Sequence, residues 1–381
     1  MEFFLTREQL ELQATAAEFA RGALNDEMIQ RDRDGTFSRE AWQRCADFGV
    51  MALPVPEQYG GSGSDMMTTI AVMEGLGYGC RDHGLLFSIN DHLWTNSIPI
   101  LLYGSEEQKQ KYLPGLCNDS LIGANGASEP ESGSDIFSMR TRCVRDGEHY
   151  VLNGAKMFVT NAPVADLIVA YATLDPAYGE MGICSFIVER DFPGVSVSRK
   201  IDKMGLRTSP MGEVVFQDCR VPVRNRLGRE GRGAPVFTCS MEWERSCILA
   251  NCLGAMRRQI EECVSYARQR KQFGKPIGKF QSVANRIVDM KLRLETARPL
   301  VYRIGMMKQH GLDAEMEAAM AKLYVSEAYV QSCLDTIQVH GGYGFMTEFQ
   351  FERDLRDSVG GTLYSGTSEI QRNIIARCLG L

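Results

Sequence analysis

Residues 149–174 read HYVLNGAKMFVTNAPVADLIVAYATL, and this stretch decides the fold. β-Branched and aromatic residues crowd into short runs separated by Gly, Asn, Pro and Asp, the composition of strands joined by turns. The later runs ICSFIVE, GVSVSRK and EVVFQDCRV repeat the pattern, so a small β domain is expected over residues 119–228.

Outward from it on both sides the period is helical. From Thr6 to about Arg33 apolar residues recur at three- and four-residue intervals, with Thr6 and Gln9 set as a capping box, which predicts one helix. FSREAWQRCADFGV, MMTTIAVMEGLGYGC, GLLFSINDHLWTNSIPILLYG and SEEQKQKYLPGL continue the pattern, so residues 1–118 form a helical domain. After the β region, long helical segments near 233–270, 280–310, 312–340 and 366–379, joined by short Gly-containing breaks, predict a helical bundle over 229–381. The fold class is α+β.

Composition narrows the partners. The 381 residues are 44% apolar and 24% charged, as in ordinary globular chains, and the formal charge of −6 comes without a basic cluster that would suit nucleic acid or anionic lipid. Twelve cysteines show no C-x-x-C pair and no regular framework, which reads as reduced thiols. The start, MEFFLTREQL, carries charge almost at once, and no run approaches the roughly eighteen apolar residues of a membrane span. A cytoplasmic protein with no membrane partner and no bound metal is expected.

Four segments carry chemistry of low individual specificity. ASEPESGSD (127–135) packs Ser128, Ser132 and Ser134 around three acids, which also suits a plain surface turn. KMFVTNA (156–162) ends a strand, with alternation placing Phe158 and Thr160 on one face and Val159 and Asn161 on the other. QVHGGYGF (338–345) closes a long helix with adjacent glycines that permit close backbone approach or a simple cap, and it lacks the G-x-G-x-x-G spacing of a Rossmann site. RQRKQFGK puts Arg270, Lys271 and Phe273 at a helix end, where cations also complement the helix dipole.

Together, in this order, the segments resemble the acyl-CoA dehydrogenases from end to end. ASEPESGSD is similar to that family's first signature, and Gln338, Gly341, Gly342, Gly344, Phe345, Glu348, Arg353 and Asp357 fit its second. The resemblance implies a middle β-barrel or sandwich, a C-terminal four-helix bundle, and FAD bound between them in a homotetramer whose cofactor site draws on a neighbouring subunit. It implies that Ser128, Ser134, Phe158 and Thr160 hold the flavin within one subunit. Arg270, Phe273, Gln281, Gln338, Gly341 and Gly342 would meet its pyrophosphate and adenosine across an interface, and Thr367 and Glu369 would complete the set. Ala127 and Phe158 depart from the residues usual in the family without removing a donor.

The reaction so implied removes a proton beside a thioester carbonyl with a carboxylate base. Most members carry that base as glutamate in a Tyr-Glu-Gly-Thr segment, and this chain has Tyr364-Ser365-Gly366-Thr367. A lone serine hydroxyl is too weak a base for this proton. Some members carry the base on an earlier helix of the bundle, and the matching segment, SMEWERSCILANCLG (240–254), offers Glu244 with Arg245 beside it. Glu242 lies two residues away, on a different helix face, and is read as structural. Trp243, Cys247, Ile248 and Leu249 suggest semi-burial of Glu244, which raises a carboxylate's basicity. Arg245, Tyr364, Ser365 and Gly366 then border the substrate.

Glu244 in EWERSC paired with Ser365 in YSGTSE, together with 161–188, resembles more narrowly the flavoproteins that oxidise L-prolyl groups held as thioesters on acyl or peptidyl carrier proteins in natural-product pathways. A prolyl-phosphopantetheine carrier protein is the partner this implies. The alternatives are a short- or branched-chain acyl-CoA dehydrogenase with a relocated base, and a flavin-binding relative that has lost catalysis.

Overall fold

The computed structural model describes residues 5–198 and 200–381. The opening MEFF, and Arg199 of the expected GVSVSRK strand, lie outside the described residues. Among the described residues, seven α-helices come first: α1 (Arg7–Ala23), α2 (Met28–Asp34), α3 (Arg39–Asp47), α4 (Met66–Gly79), α5 (His83–His92), α6 (Ile98–Tyr103) and α7 (Glu106–Cys117). The capping box forms: Thr6 Oγ1 accepts from Gln9 N at 3.2 Å, and Gln9 Oε1 accepts from Thr6 N at 3.0 Å.

The single helix expected over Thr6–Arg33 is instead two. Asn25 breaks it, donating from Nδ2 to Gly79 O and accepting from Arg81 N at 2.6 Å, so its amide serves the end of α4 rather than the helix; Glu27 then takes a left-handed φ of 50°. The run GLLFSINDHLWTNSIPILLYG likewise divides: α5 and α6 are joined by a π-helical segment, Leu93–Ser97.

The middle region is one mixed, eight-stranded sheet: β1 (Gly123–Gly126), β2 (Arg142–Asp146), β3 (His149–Thr160), β4 (Leu167–Thr173), β5 (Ile183–Glu189), β6 (Val195–Val197), β7 (Met211–Pro222) and β8 (Arg226–Leu227). The order is β6-β7-β3-β2-β4-β5-β8, and β1 lies parallel to β4 from the Gly123–Leu167 pair to Gly126–Ala170. Apolar clusters cover both faces, Phe186 and Val214 on one and Tyr171 and Ile187 on the other. That two-sided burial is why LIVAYAT is continuously apolar rather than alternating.

The C-terminal region holds α8 (Gly233–Gln269), a two-stranded hairpin of β9 (Lys271–Gln272) and β10 (Lys275–Pro276), then α9 (Gln281–Gln309), α10 (Glu315–His340), the short α11 (Gly342–Phe345), α12 (Phe351–Gly360) and α13 (Ser368–Cys378). α12 falls between the helices expected near 312–340 and 366–379; it is amphipathic and buries Phe351, Arg353, Asp354 and Asp357.

One core joins the two helical regions, running from Trp42, Met73 and Leu76 to Leu253, Met256, Val325 and Tyr329. α4 and α8 touch backbone to backbone. A Cβ on Gly77 would lie 2.1 Å from Asn251 O, and one on Gly254 would lie 2.1 Å from Glu74 O, so each helix needs a glycine where it meets the other. Arg258, buried in α8, donates to Gly77 O and Cys80 O at 2.9 Å each and faces Asp354, locking the end of α4 to α12.

Candidate active site

α8 runs for 37 residues, and its fourth turn buries Glu244 and Arg245. The turn between α12 and α13 brings Ser365 over them with a left-handed φ of 55°, followed by Gly366 at 89°. Ser365 Oγ donates to Glu244 Oε1 at 2.8 Å, while Arg245 Nε donates to Ser365 O at 3.0 Å. Two residues that sequence reasoning missed hold the turn: Lys322 Nζ donates to Gly366 O at 2.7 Å, and Gln371 Nε2 donates to Ser365 O and Gly366 O at 3.1 and 2.9 Å. Glu242 faces elsewhere and pairs with Lys308.

The electrostatics suit a base. Burial raises the pKa of Glu244 above the ordinary glutamate range, and the Ser365 hydroxyl, Arg245 and Lys322 pull it partway back. Burial, with Arg245 close by, lowers Lys322 to about 8. α5 contributes a second acid, Asp91, whose Oδ2 is buried with no partner among the described residues; burial first and Glu244 second push its pKa well up. An unmade bond to such an atom costs roughly 1–3 kcal/mol. The polar triplet Asn90-Asp91-His92 inside an apolar helix was the sequence signal for it. A cavity of about 30 Å³, lined among others by Phe87, Ile248 and Tyr364, opens one turn from Glu244, room for about one water.

The remaining predicted residues fall into two sets. On the sheet, Lys156 is buried and donates to Ala127 O and to Glu129 Oε1 at 3.1 and 2.7 Å, and Glu129 also accepts from Thr141 N. This pins ASEPESGSD as a loop on β3, with Ser128 half-buried and Ser134 exposed. The expected sharing of a face by Phe158 and Thr160 is corrected: the β3–β7 register shifts between Lys156 and Val159, and Phe158 takes a φ of 59°. The bulge turns Phe158 out, 62% exposed, while Val159, Thr160 and Asn161 are all buried.

At the far end of the bundle, Arg270, Phe273, Gln281, Gln338, Gly341 and Gly342 are all exposed. The Arg270 guanidinium lies 5.8 Å from the Tyr343 ring centroid, and Phe273, on the hairpin, is 93% exposed. Gly341 adopts φ 60°, ψ −134°, open to glycine alone, and a Cβ on it would meet nothing. Within this chain, no hydrogen bond or ring contact among the described residues joins this set to Ser128, Ser134, Phe158 or Thr160. Thr367 Oγ1 accepts from Ile370 N and caps α13, and Glu369 is exposed in its first turn.

Family models for the acyl-CoA dehydrogenase N-terminal, middle and C-terminal domains match residues 6–120, 124–219 and 231–380. The chain belongs to the acyl-CoA dehydrogenase family. Among members, it is 44% identical to an L-prolyl-[peptidyl-carrier protein] dehydrogenase of Pseudomonas fluorescens, over 91% of each chain. Among solved structures it is similar to the prolyl acyl carrier protein oxidase AnaB, with a TM-score of 0.98 and 48% identity over 99% of this chain and 100% of that one. PigA with FAD and proline superposes with a TM-score of 0.97 at 42% identity, over the whole of both chains. No described helix is long and apolar enough to cross a membrane.

Proposed function

We propose that this acyl-CoA dehydrogenase family member oxidises an L-prolyl group held as a thioester on a carrier protein, in a natural-product pathway. The observation that carries this reading is the Glu244–Ser365 pair: the base position usual in the family is vacated, and a buried carboxylate on α8 faces the vacancy. The prolyl-carrier relatives support it.

The residues present fit FAD. Gly341 and Gly342 leave bare backbone, Arg270 has no ion-pair partner among the described residues, and the exposed Phe158 and Phe273 await cover. Ser128, Ser134, Phe158 and Thr160 would hold the group from the sheet. Arg270, Phe273, Gln281, Gln338, Gly341 and Gly342 of a neighbouring copy would hold its pyrophosphate and adenosine, with Thr367 and Glu369 closing the set. When bound, FAD accepts the hydride. The separation of the two sets within one chain supports a homotetramer as the working form, and the absence of a described spanning helix is compatible with a cytoplasmic site of action.

The chain's own part is proton chemistry. Glu244 takes the proton beside the thioester carbonyl, and its burial raises its basicity above that of an ordinary glutamate. Ser365 holds Glu244 Oε1 in place, and Arg245, Lys322 and Gln371 hold the Ser365–Gly366 turn. The test offers the purified protein prolyl-carrier protein and isovaleryl-CoA and follows the product by mass spectrometry. Loss of two or four hydrogens from the prolyl group is expected, and turnover of isovaleryl-CoA alone overturns the reading.

A further inference from the structure

Asp91 has a place in the site that the base and the cofactor do not use. Phe87 and Asp91 lie four residues apart on α5 and so on one face. The Phe87 ring lies 4.8 Å from that of Tyr364, the neighbour of Ser365, and the Trp94 ring stacks 6.1 Å from that of Trp243, the neighbour of Glu244. Asp91 lies between these two anchors along α5, on the helix that packs against the neighbours of both Ser365 and Glu244. It is 8% exposed; Oδ1 accepts from Thr95 Oγ1 at 3.3 Å, and Oδ2 has no partner among the described residues. The π-helical segment that follows directly, Leu93–Ser97, is a distortion common at functional sites.

We propose that Asp91 receives the ring nitrogen of the prolyl group and thereby selects an amine-bearing acyl group over a plain one. The inference rests on the prolyl-thioester reading and deepens it. The ring nitrogen is bonded to the carbon that loses its proton, so the group that holds the one must lie near the group that deprotonates the other, and the two ring contacts bring the stretch of α5 that carries Asp91 against the neighbours of Ser365 and Glu244. A secondary ammonium brings two N–H donors and a charge to an acceptor that lacks a donor, the pairing that makes hydrogen bonds strong. A hydrocarbon acyl group would leave Asp91 Oδ2 buried and unpaired, and sites built to bond a substrate N–H reject analogues without it by large factors. Burial first and Glu244 second raise the pKa of Asp91, and a cation beside it would pull that pKa down again.

The experiment compares the FAD-loaded wild type with Asp91→Asn, which keeps the side chain's shape, and with Asp91→Glu, which keeps its charge. Each is offered prolyl-carrier and cyclopentanecarbonyl-carrier thioesters, and binding of L-prolinamide is measured by calorimetry. The wild type should prefer the prolyl thioester by roughly a thousandfold or more in kcat/KM. Asp91→Asn should shrink that preference at least about thirtyfold, mainly through KM, and lose the calorimetric signal, while Asp91→Glu restores part of both. An unchanged preference in Asp91→Asn, or an equal fall on both substrates, overturns the role of Asp91 while the prolyl reading stands. A wild type that ignores prolyl-carrier protein and oxidises isovaleryl-CoA overturns both.

Discussion

Ser365 Oγ donates to Glu244 Oε1 at 2.8 Å across 121 residues of chain, so the residue that stands at the family's usual base position is hydrogen-bonded to the residue proposed to take over its task. Because this bond favours the ionised carboxylate, Ser365→Ala should raise the pKa of Glu244. The acid limb of the pH–kcat profile should move to higher pH, and losing about 1 kcal/mol of support should lower the rate near neutrality roughly fivefold. A limb that stays in place or moves to lower pH contradicts this role.

Glu244→Gln removes the base and leaves the shape. Substrate-driven flavin bleaching in single turnover should slow by roughly a thousandfold, within the usual range for general-base loss, while flavin content stays at the wild-type level. Bleaching at an unaltered rate would remove Glu244 from the proton step.

Arg270→Ala should weaken retention of the cofactor and association of subunits together, since the pyrophosphate contact is proposed to bridge copies. A loss of about 2–3 kcal/mol, a charge-assisted bond, corresponds to roughly thirty- to two-hundredfold weaker flavin binding. Absorbance after gel filtration, with light scattering on the same peak, would show it. Full flavin in an intact tetramer contradicts the placement.

The α4–α8 contact should tolerate no side chain. Gly254→Ala places a Cβ 2.1 Å from Glu74 O, against backbone rather than a flexible tip, and should destabilise by about 2–3 kcal/mol as the two helices separate. Chemical denaturation of matched samples measures this, and an unchanged midpoint refutes the close approach.

Acid should unfold the helical body through His83 and Asp354. Burial, with Arg258 and Arg353 adding to it, holds His83 neutral with a pKa of about 3 against an ordinary 6.5. Burial works against the Asp354 carboxylate, but Arg258, His83 and Arg353 outweigh it and hold it at about 2 against 3.8. Both pKa values are lower in the folded chain, so the unfolded chain binds more protons, and stability present above pH 6.5 falls between about 6.5 and 2. His83→Gln should flatten the upper part of that fall in a series of thermal melts. A slope identical to wild type between pH 6.5 and 4 would show that His83 does not carry it.

Much of this was legible in the residues. Periodicity alone separates helical, strand and helical regions, because the spacing of buried positions differs between the two kinds of element. The resemblance to the acyl-CoA dehydrogenases implies a base position that Ser365 leaves without a carboxylate, and with the semi-buried setting of Glu244 it points to α8 as the source of the base. What local pattern could not supply is where a backbone departs from its period. Phe158 was placed beside Thr160 by alternation, and the left-handed φ in the β3 bulge sends it outward instead. Asn25 fitted a helical run until Gly79 and Arg81 claimed its amide.

By itself, then, the sequence determined the order of elements and the family, since these depend on residue type and short-range spacing, and through the resemblance to that family it named the carboxylate to watch. Only the tertiary structure decided that the first and last helical regions share one core, that Lys322 and Gln371 hold the turn at Ser365, and that Asp91 Oδ2 is buried without a partner among the described residues. Each of these depends on which distant segments meet and which polar atoms remain without a partner when they do, and no spacing along the chain encodes that.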